Sequence, residues 1–126
     1  MPYIFDREAL RVLDIGFGDG EALLTLAANN PTIDYLGIEV HEPGIGHLLL
    51  LLERANIANV RIIPHDAVEV LDEMLSDCQF DVVNLFFPDP WPKKRHHKRR
   101  LIQPSFIQNV SRVLKAGGVL HITTDW

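Results

Sequence analysis

Arg11-Val12-Leu13-Asp14-Ile15-Gly16-Phe17-Gly18-Asp19-Gly20 carries an apolar run of strand length straight into three glycines at alternate positions. The residues that follow, Glu21 to Asn30, hold Leu23, Leu24, Leu26 and Ala27 at helical spacing and stop at Asn29-Asn30-Pro31. A buried strand, a glycine turn and a helix in direct succession open a βαβ unit. Glycines at such a turn let the backbone bend sharply and approach a ligand closely. The pattern is G-x-G-x-G, not the G-x-G-x-x-G of dinucleotide enzymes. Taken alone it also fits a tight turn that binds nothing.

Outward from this turn the same alternation repeats. Asp34 to Val40 reads as a second strand and Gly46 to Ala55 as a second helix. Val60 to Pro64 is a third strand, followed by a helix from Ala67 to about Leu75. Phe80 to Phe87 is an apolar run of strand length, and Pro104 to Leu114 is helical with proline in its first turn. Gly117-Gly118 breaks that helix, and Val119 to Thr123 is the fifth strand. Strands alternating with helices predict an α/β fold with a parallel, doubly wound sheet of order 3-2-1-4-5. Ligands of such sheets sit beyond the carboxyl ends of the strands, so the informative residues are those that follow strands.

Charge selects among ligands for the glycine turn. A pyrophosphate is held at a helix N-terminus. Asp19 and Glu21 occupy that region here and repel it, which disfavours a nicotinamide dehydrogenase. S-adenosylmethionine (SAM) has a sulfonium and an ammonium and no phosphate, so the acids suit it. Gly16, Gly18 and Gly20 then form its turn, and Asp14 faces its ammonium. Glu39, at the end of the second strand, is placed to accept the two hydroxyls of a ribose. Its alternative is an exposed strand-end acid. Asp66, after the third strand, reads as a helix N-cap, as a hydrogen-bond acceptor for an adenine amino group, or as both.

Phe86-Phe87-Pro88-Asp89-Pro90-Trp91-Pro92 follows the fourth strand. Its three prolines fix φ and hold Asp89 and Trp91 in extended geometry, so the loop is stiff. A carboxylate placed there accepts the adjacent N1–H and N2–H of guanine, a donor pair that adenine lacks. Trp91 packs the loop or stacks on the base. Asp89 alternatively closes the loop as an Asx turn. Guanine N7 has a free lone pair, so its methylation requires no base. Positioning supplies most of such catalysis, and a fixed carboxylate near the base steadies the charge it gains.

The loop runs on into Lys93-Lys94-Arg95-His96-His97-Lys98-Arg99-Arg100. These eight residues contain six of the twelve lysines and arginines of a chain of net charge −5, so the remainder carries −11. A basic run beside the ligand crevice of an otherwise acidic protein points to phosphate contact, with Lys98, Arg99 and Arg100 as candidates. His96 and His97 lack a nearby carboxylate or cysteine at ligand spacing, and no metal site is expected. The 126 residues, 47% apolar and 23% charged, suit one domain with a real core. No apolar run approaches the roughly 18 residues of a membrane span, so no membrane partner is expected. The single cysteine, Cys78, permits no internal disulfide, and a reducing, cytoplasmic setting is the default. The first residues lack the basic region and cleavage site of a signal peptide.

Leu13 to Gly20, Gly37-Ile38-Glu39-Val40-His41, His65-Asp66-Ala67, the run from Phe86 to Arg100 and Thr123-Thr124-Asp125-Trp126 together resemble the bacterial tRNA (guanine-N7-)-methyltransferases, in order and with matching spacing. The run from Phe86 to Arg100 is the most specific part of the match. The resemblance implies a Rossmann-like SAM-dependent methyltransferase fold that transfers a methyl group from SAM to N7 of the variable-loop guanine of tRNA. It implies that Asp14, Glu39, Asp66 and Asp89 are SAM-site positions, that Asp89 is also the active-site residue, and that Lys93 and Asp125 contact the substrate. The family usually has Glu where Asp14 stands. It also has a longer N-terminal portion and two further strands, so residues 1–126 are expected to form one SAM-binding domain, incomplete at both ends and lacking those last two strands. A monomer and a homodimer both remain open. Two other functions stay open as well: a methyltransferase acting on an exocyclic amine, whose loop reads Asp/Asn-Pro-Pro-aromatic, and a non-catalytic SAM- or RNA-binding remnant.

Overall fold

The computed structural model describes Phe5 and residues 7–87 and 104–124. Its elements are β1 (Arg11–Ile15), α1 (Glu21–Asn29), β2 (Asp34–Ile38), α2 (Glu42–Ala55), β3 (Val60–Ile63), α3 (Ala67–Glu69) continued by a π-helical turn (Val70–Met74), β4 (Phe80–Phe87), α4 (Pro104–Val113) and β5 (Leu114–Thr124). The strands form one sheet of order β3-β2-β1-β4-β5 in which every ladder is parallel. This is the doubly wound order expected from the alternation of elements.

Alternation along the strands divides the core in two. Leu13 and Ile15 of β1 point with Val83 and Leu85 of β4 toward α3, the π turn and α4, where Val70, Leu71, Phe106, Val110 and Val113 are buried. Val12 points the other way, with Tyr35 and Val60, toward Leu23 and Ala27 of α1 and Leu48 and Leu52 of α2. Burying each such side chain is worth about 1.5–3 kcal/mol. Asp14 lies between Leu13 and Ile15, so the period of two sends it to the α1 face.

The amino ends of the strands are tied by polar contacts. Arg7 donates from Nε to Asp34 Oδ1 at 2.9 Å and forms an ion pair with it. Asn59 Nδ2 donates to the carbonyls of Ala27, Asn30 and Ile33, joining the end of α1 to the entry of β2.

Three elements differ from the sequence expectation. First, α2 begins at Glu42, four residues before Gly46, with Pro43 in its first turn. A proline without a needed N–H suits that place, and the glycines inside the helix conceal the true start. Second, the helix after Asp66 is α-helical for one turn only and then widens to π geometry. Arg112 of α4 donates to the carbonyls of Leu71 and Leu75 there. Third, β5 starts at Leu114, not at Val119. Phe80 pairs with Leu114 and Val82 with Val119, so β5 carries three residues more than β4 between these pairs. Gly117, at φ 81, supplies the positive dihedral such a bulge uses.

Candidate functional site

The turn after β1 is built from left-handed backbone. Gly16, Gly18 and Gly20 have φ of 80, 65 and 83, a region that costs other residues about 1–2 kcal/mol. Space is short as well: a Cβ on Gly16 would lie 3.0 Å from the Phe86 carbonyl oxygen of β4, and one on Gly20 2.7 Å from Leu48 Cβ of α2. Gly16 N–H donates to the Ile38 carbonyl at 2.9 Å, holding the turn over the tip of β2. Asp19 Oδ1 accepts the Glu21 N–H at 3.0 Å at the start of α1. The acids that disfavoured a pyrophosphate therefore do stand at this helix N-terminus.

Sequence reasoning missed the other wall of the turn. A Cβ on Gly44 would lie 2.1 Å from the Gly18 carbonyl oxygen. The first turn of α2 is thus packed against the glycine turn itself, and only a residue without a side chain permits it. Placing the start of the helix at Gly46 hid this contact.

Three carboxylates, Asp14 near the end of β1 and Glu39 and Asp66 after β2 and β3, sit near adjacent strand tips but in different states. Asp14 is half-buried on the α1 face, and desolvation pushes its carboxyl up from 3.8 to about 6. Glu39 is half-buried just past the end of β2. Its Oε1 accepts the Gly18 N–H at 2.8 Å, and its Oε2 accepts the Val40 and His41 N–H groups at 3.0 and 3.2 Å. An ionised carboxylate offers about four acceptor sites, so Glu39 organises the turn and keeps limited capacity for a ligand. Asp66 caps α3 by accepting the Val68 N–H at 2.7 Å, one of the two roles its position left open.

A cleft of about 610 Å³ opens beside the turn, lined by Asp14, Gly16, Phe17, Gly18 and Asp19, by the α1 residues Ala22, Leu23 and Leu26, and by Asn84, Leu85, Phe86, His121 and Thr123 of β4 and β5. Glu39 and Asp66 are not among its lining residues; Glu39 reaches the cleft through its bond to Gly18. Asn84 and His121 were not singled out in the sequence, and Thr123 only as part of the run Thr123-Thr124-Asp125-Trp126. The signal for them was the strand order, which places β4 and β5 beside β1. A second cleft of equal size lies at the opposite end, around Arg7, Asp34 and Asn59. Volume does not separate the two. The carboxyl ends of the strands and the positive-φ turn belong to the first.

Asp89, Lys93, Lys98, Arg99, Arg100 and Asp125 lie outside the described residues, as does Trp91. Among the described residues, no three His, Cys, Asp or Glu side chains gather where they could hold a metal ion. No helix among them is long and apolar enough to cross a membrane.

Comparison with known proteins agrees with this geometry. A family model described as "Putative methyltransferase" matches residues 8–126. A tRNA (guanine-N(7)-)-methyltransferase of Nitrosococcus oceani is 58% identical over 123 residues, which make up 98% of this chain and 52% of that protein. The chain spans about half the length of the curated relatives it matches. Among solved structures, a SAM-dependent methyltransferase from Aquifex aeolicus is similar with a TM-score of 0.62 at 22% identity, over 86% of this chain and 53% of the other. PKMT2 from Rickettsia typhi, in complex with AdoHcy, is similar with a TM-score of 0.68 at 21% identity, over 89% of this chain and 20% of the other. The sheet order and these likenesses give the Rossmann-like fold of SAM-dependent methyltransferases. With the family model matching all but its first seven residues, the chain belongs to this methyltransferase family.

Proposed function

We propose that this chain is the SAM-binding core of a tRNA (guanine-N7-)-methyltransferase. The observation that carries the cofactor half is the strand-tip arrangement: a left-handed glycine turn tied down by Glu39, with the Asp14 carboxylate facing the adjoining cleft. The residues suit the donor's chemistry. Asp14 has no hydrogen-bond partner among the described residues and matches an ammonium. Asp19 and Glu21 favour a cation over a phosphate. Glu39 and Asp66 stand at the next two strand tips, toward a ribose and an adenine. When bound, the donor supplies an electrophilic methyl group.

The acceptor half rests on the names of relatives at this level of identity and on the loop after β4. Asp89 accepts N1–H and N2–H of guanine, which orients the base so that N7 meets the methyl group. No residue takes up a proton, because N7 carries none. The carboxylate of Asp89 offsets the positive charge that the base acquires. Lys93, Lys98, Arg99 and Arg100 contact backbone phosphates, and Asp125, after β5, contacts the nucleotide. A tRNA substrate and one unpaired cysteine accord with a cytoplasmic setting.

The test is incubation of the chain with tRNA and methyl-labelled SAM, followed by digestion and nucleoside analysis. Label is expected in 7-methylguanosine. Label in N6-methyladenosine or another exocyclic amine would overturn the acceptor assignment. Absence of both labelled nucleoside and SAM binding would overturn the function as a whole.

A further inference from the structure

Asp14, Asn84 and His121 form one row across three neighbouring strands. Asp14 is the register partner of Asn84 in the β1–β4 ladder, and Asn84 is the partner of His121 in the β4–β5 ladder. In-register residues of parallel strands project to the same face. All three line the cleft beside the glycine turn. Asp14 and Asn84 are half-buried, and His121 is exposed. Among the described residues none of the three side chains has a hydrogen-bond partner. Asp14 and Asn84 keep part of their surface open to the cleft, so their polar atoms are available to a ligand there.

The proposed donor is a linear molecule whose parts run adenine, ribose, amino acid. The strand order lays out the candidate residues in the same sequence: Asp66 after β3, Glu39 after β2, Asp14 on β1, Asn84 on β4 and His121 on β5. Neighbouring strands are about 4.8 Å apart. The ammonium and carboxylate of an α-amino acid branch from one carbon, so β1 and β4 can serve one each, and a side chain as long as histidine on β5, the next strand, can lean toward the same carboxylate. The ammonium belongs over Asp14. The carboxylate then needs donors, and Asp19 at the turn repels it. Among the described lining residues there is no lysine or arginine, and the side-chain donors are Asn84, His121 and Thr123. Thr123 lies two residues farther along β5, beyond the row. An amide N–H₂ and an imidazole N–H both donate to a carboxylate, the imidazole in either protonation state.

We infer that Asn84 and His121 are binding residues for the α-carboxylate of the donor's amino-acid end, next to the ammonium held by Asp14. This rests on the SAM reading above and adds two residues to it. Their role is positioning: by anchoring the far end of the donor they fix where its methyl group lies.

Calorimetric titration of the full chain tests this with two ligands. S-adenosylhomocysteine carries the amino-acid end, and 5′-methylthioadenosine lacks it. In Asn84→Ala/His121→Ala, S-adenosylhomocysteine is expected to bind about ten- to a hundredfold more weakly, with 5′-methylthioadenosine unchanged. His121→Gln, which keeps an N–H donor, should recover part of the loss. Unchanged S-adenosylhomocysteine affinity, or an equal loss for both ligands, would overturn the inference while leaving the SAM site standing. Loss of tRNA binding with S-adenosylhomocysteine affinity intact would also overturn it, placing the pair against RNA. A wild-type chain that binds neither ligand would overturn the SAM reading itself.

Discussion

Glu39 Oε1 accepts the backbone N–H of Gly18 across 21 positions of sequence, at 2.8 Å. The same carboxylate holds the Val40 and His41 N–H groups through Oε2. One side chain at the tip of β2 therefore fixes the glycine turn after β1 and the entry to α2 together. It acts beside the Gly16 N–H bond to the Ile38 carbonyl and the packing of Gly44, which hold the same turn from other sides.

Glu39→Ala should therefore destabilise the chain before any ligand is considered. Leaving these N–H groups without their acceptor should cost about 1–3 kcal/mol, read as a lower urea midpoint with an unchanged slope. Amide exchange at Gly18 should accelerate more than exchange in β1. Equal stability of variant and wild type would mean that the bond contributes nothing to the turn.

Gly44 and Gly46 offer a matched pair inside α2. A Cβ at Gly44 meets the Gly18 carbonyl oxygen at 2.1 Å, whereas one at Gly46 meets nothing within 4 Å. Gly44→Ala should cost about 3 kcal/mol or more by overpacking and should displace the glycine turn. Gly46→Ala should gain roughly 0.5–1 kcal/mol from the lower entropy cost of alanine in a helix. Thermal unfolding of the two variants checks both signs. Similar effects from the two would show that α2 does not press on the turn.

Asp14 makes stability depend on pH with a defined sign. Its folded value, about 6, lies above its unfolded value of 3.8, and the cause is burial. Between these values the folded chain holds a proton that the unfolded chain has lost. The penalty for burying the charge is thus fully present above about pH 6 and fades as pH falls toward 3.8. Asp14→Asn should be more stable than wild type at pH 7, with the gap closing by pH 4. Denaturant unfolding across this range measures it; a gap that widened toward acid pH would contradict the assignment. Ligand binding should run the other way. An ammonium needs the ionised carboxyl, so wild-type affinity for SAM should drop as pH falls below about 6.

The basic run after the Asp89 loop predicts a salt signature. Reversing Lys98, Arg99 and Arg100 to Glu should weaken tRNA binding and flatten its dependence on salt. The wild-type slope of log affinity against log salt should lie at roughly −2 to −4. Filter binding between low and moderate salt measures both. An unchanged slope in the variant would remove the phosphate contacts.

The fold was legible because each strand and helix has its own period. Leu13, Ile15, Val83 and Leu85 alternate correctly, and the spacing of Leu23 and Ala27 is helical. The glycine turn, Asp14 near the end of β1 and the acids after β2 and β3 followed, because sheets of this type expose their strand tips. What escaped was what depends on contact between distant segments. Gly44 against Gly18 is invisible without the packing of α2. The bonds from Glu39 to three N–H groups depend on the shape of the turn. Asn84 and His121 sit inside apolar strands and acquire meaning only when ladder register brings them level with Asp14.

The central claim is that the tips of β1 and β2 hold a cationic methyl donor and not a dinucleotide. Its most direct test is side-by-side calorimetry of SAM and NAD on the wild type, Asp14→Asn and Glu39→Ala at pH 7.5. The expected result is one-site binding of SAM by the wild type, weakened at least about tenfold in each variant, with no measurable heat from NAD. Binding of NAD in preference to SAM, or SAM binding indifferent to both substitutions, would contradict it.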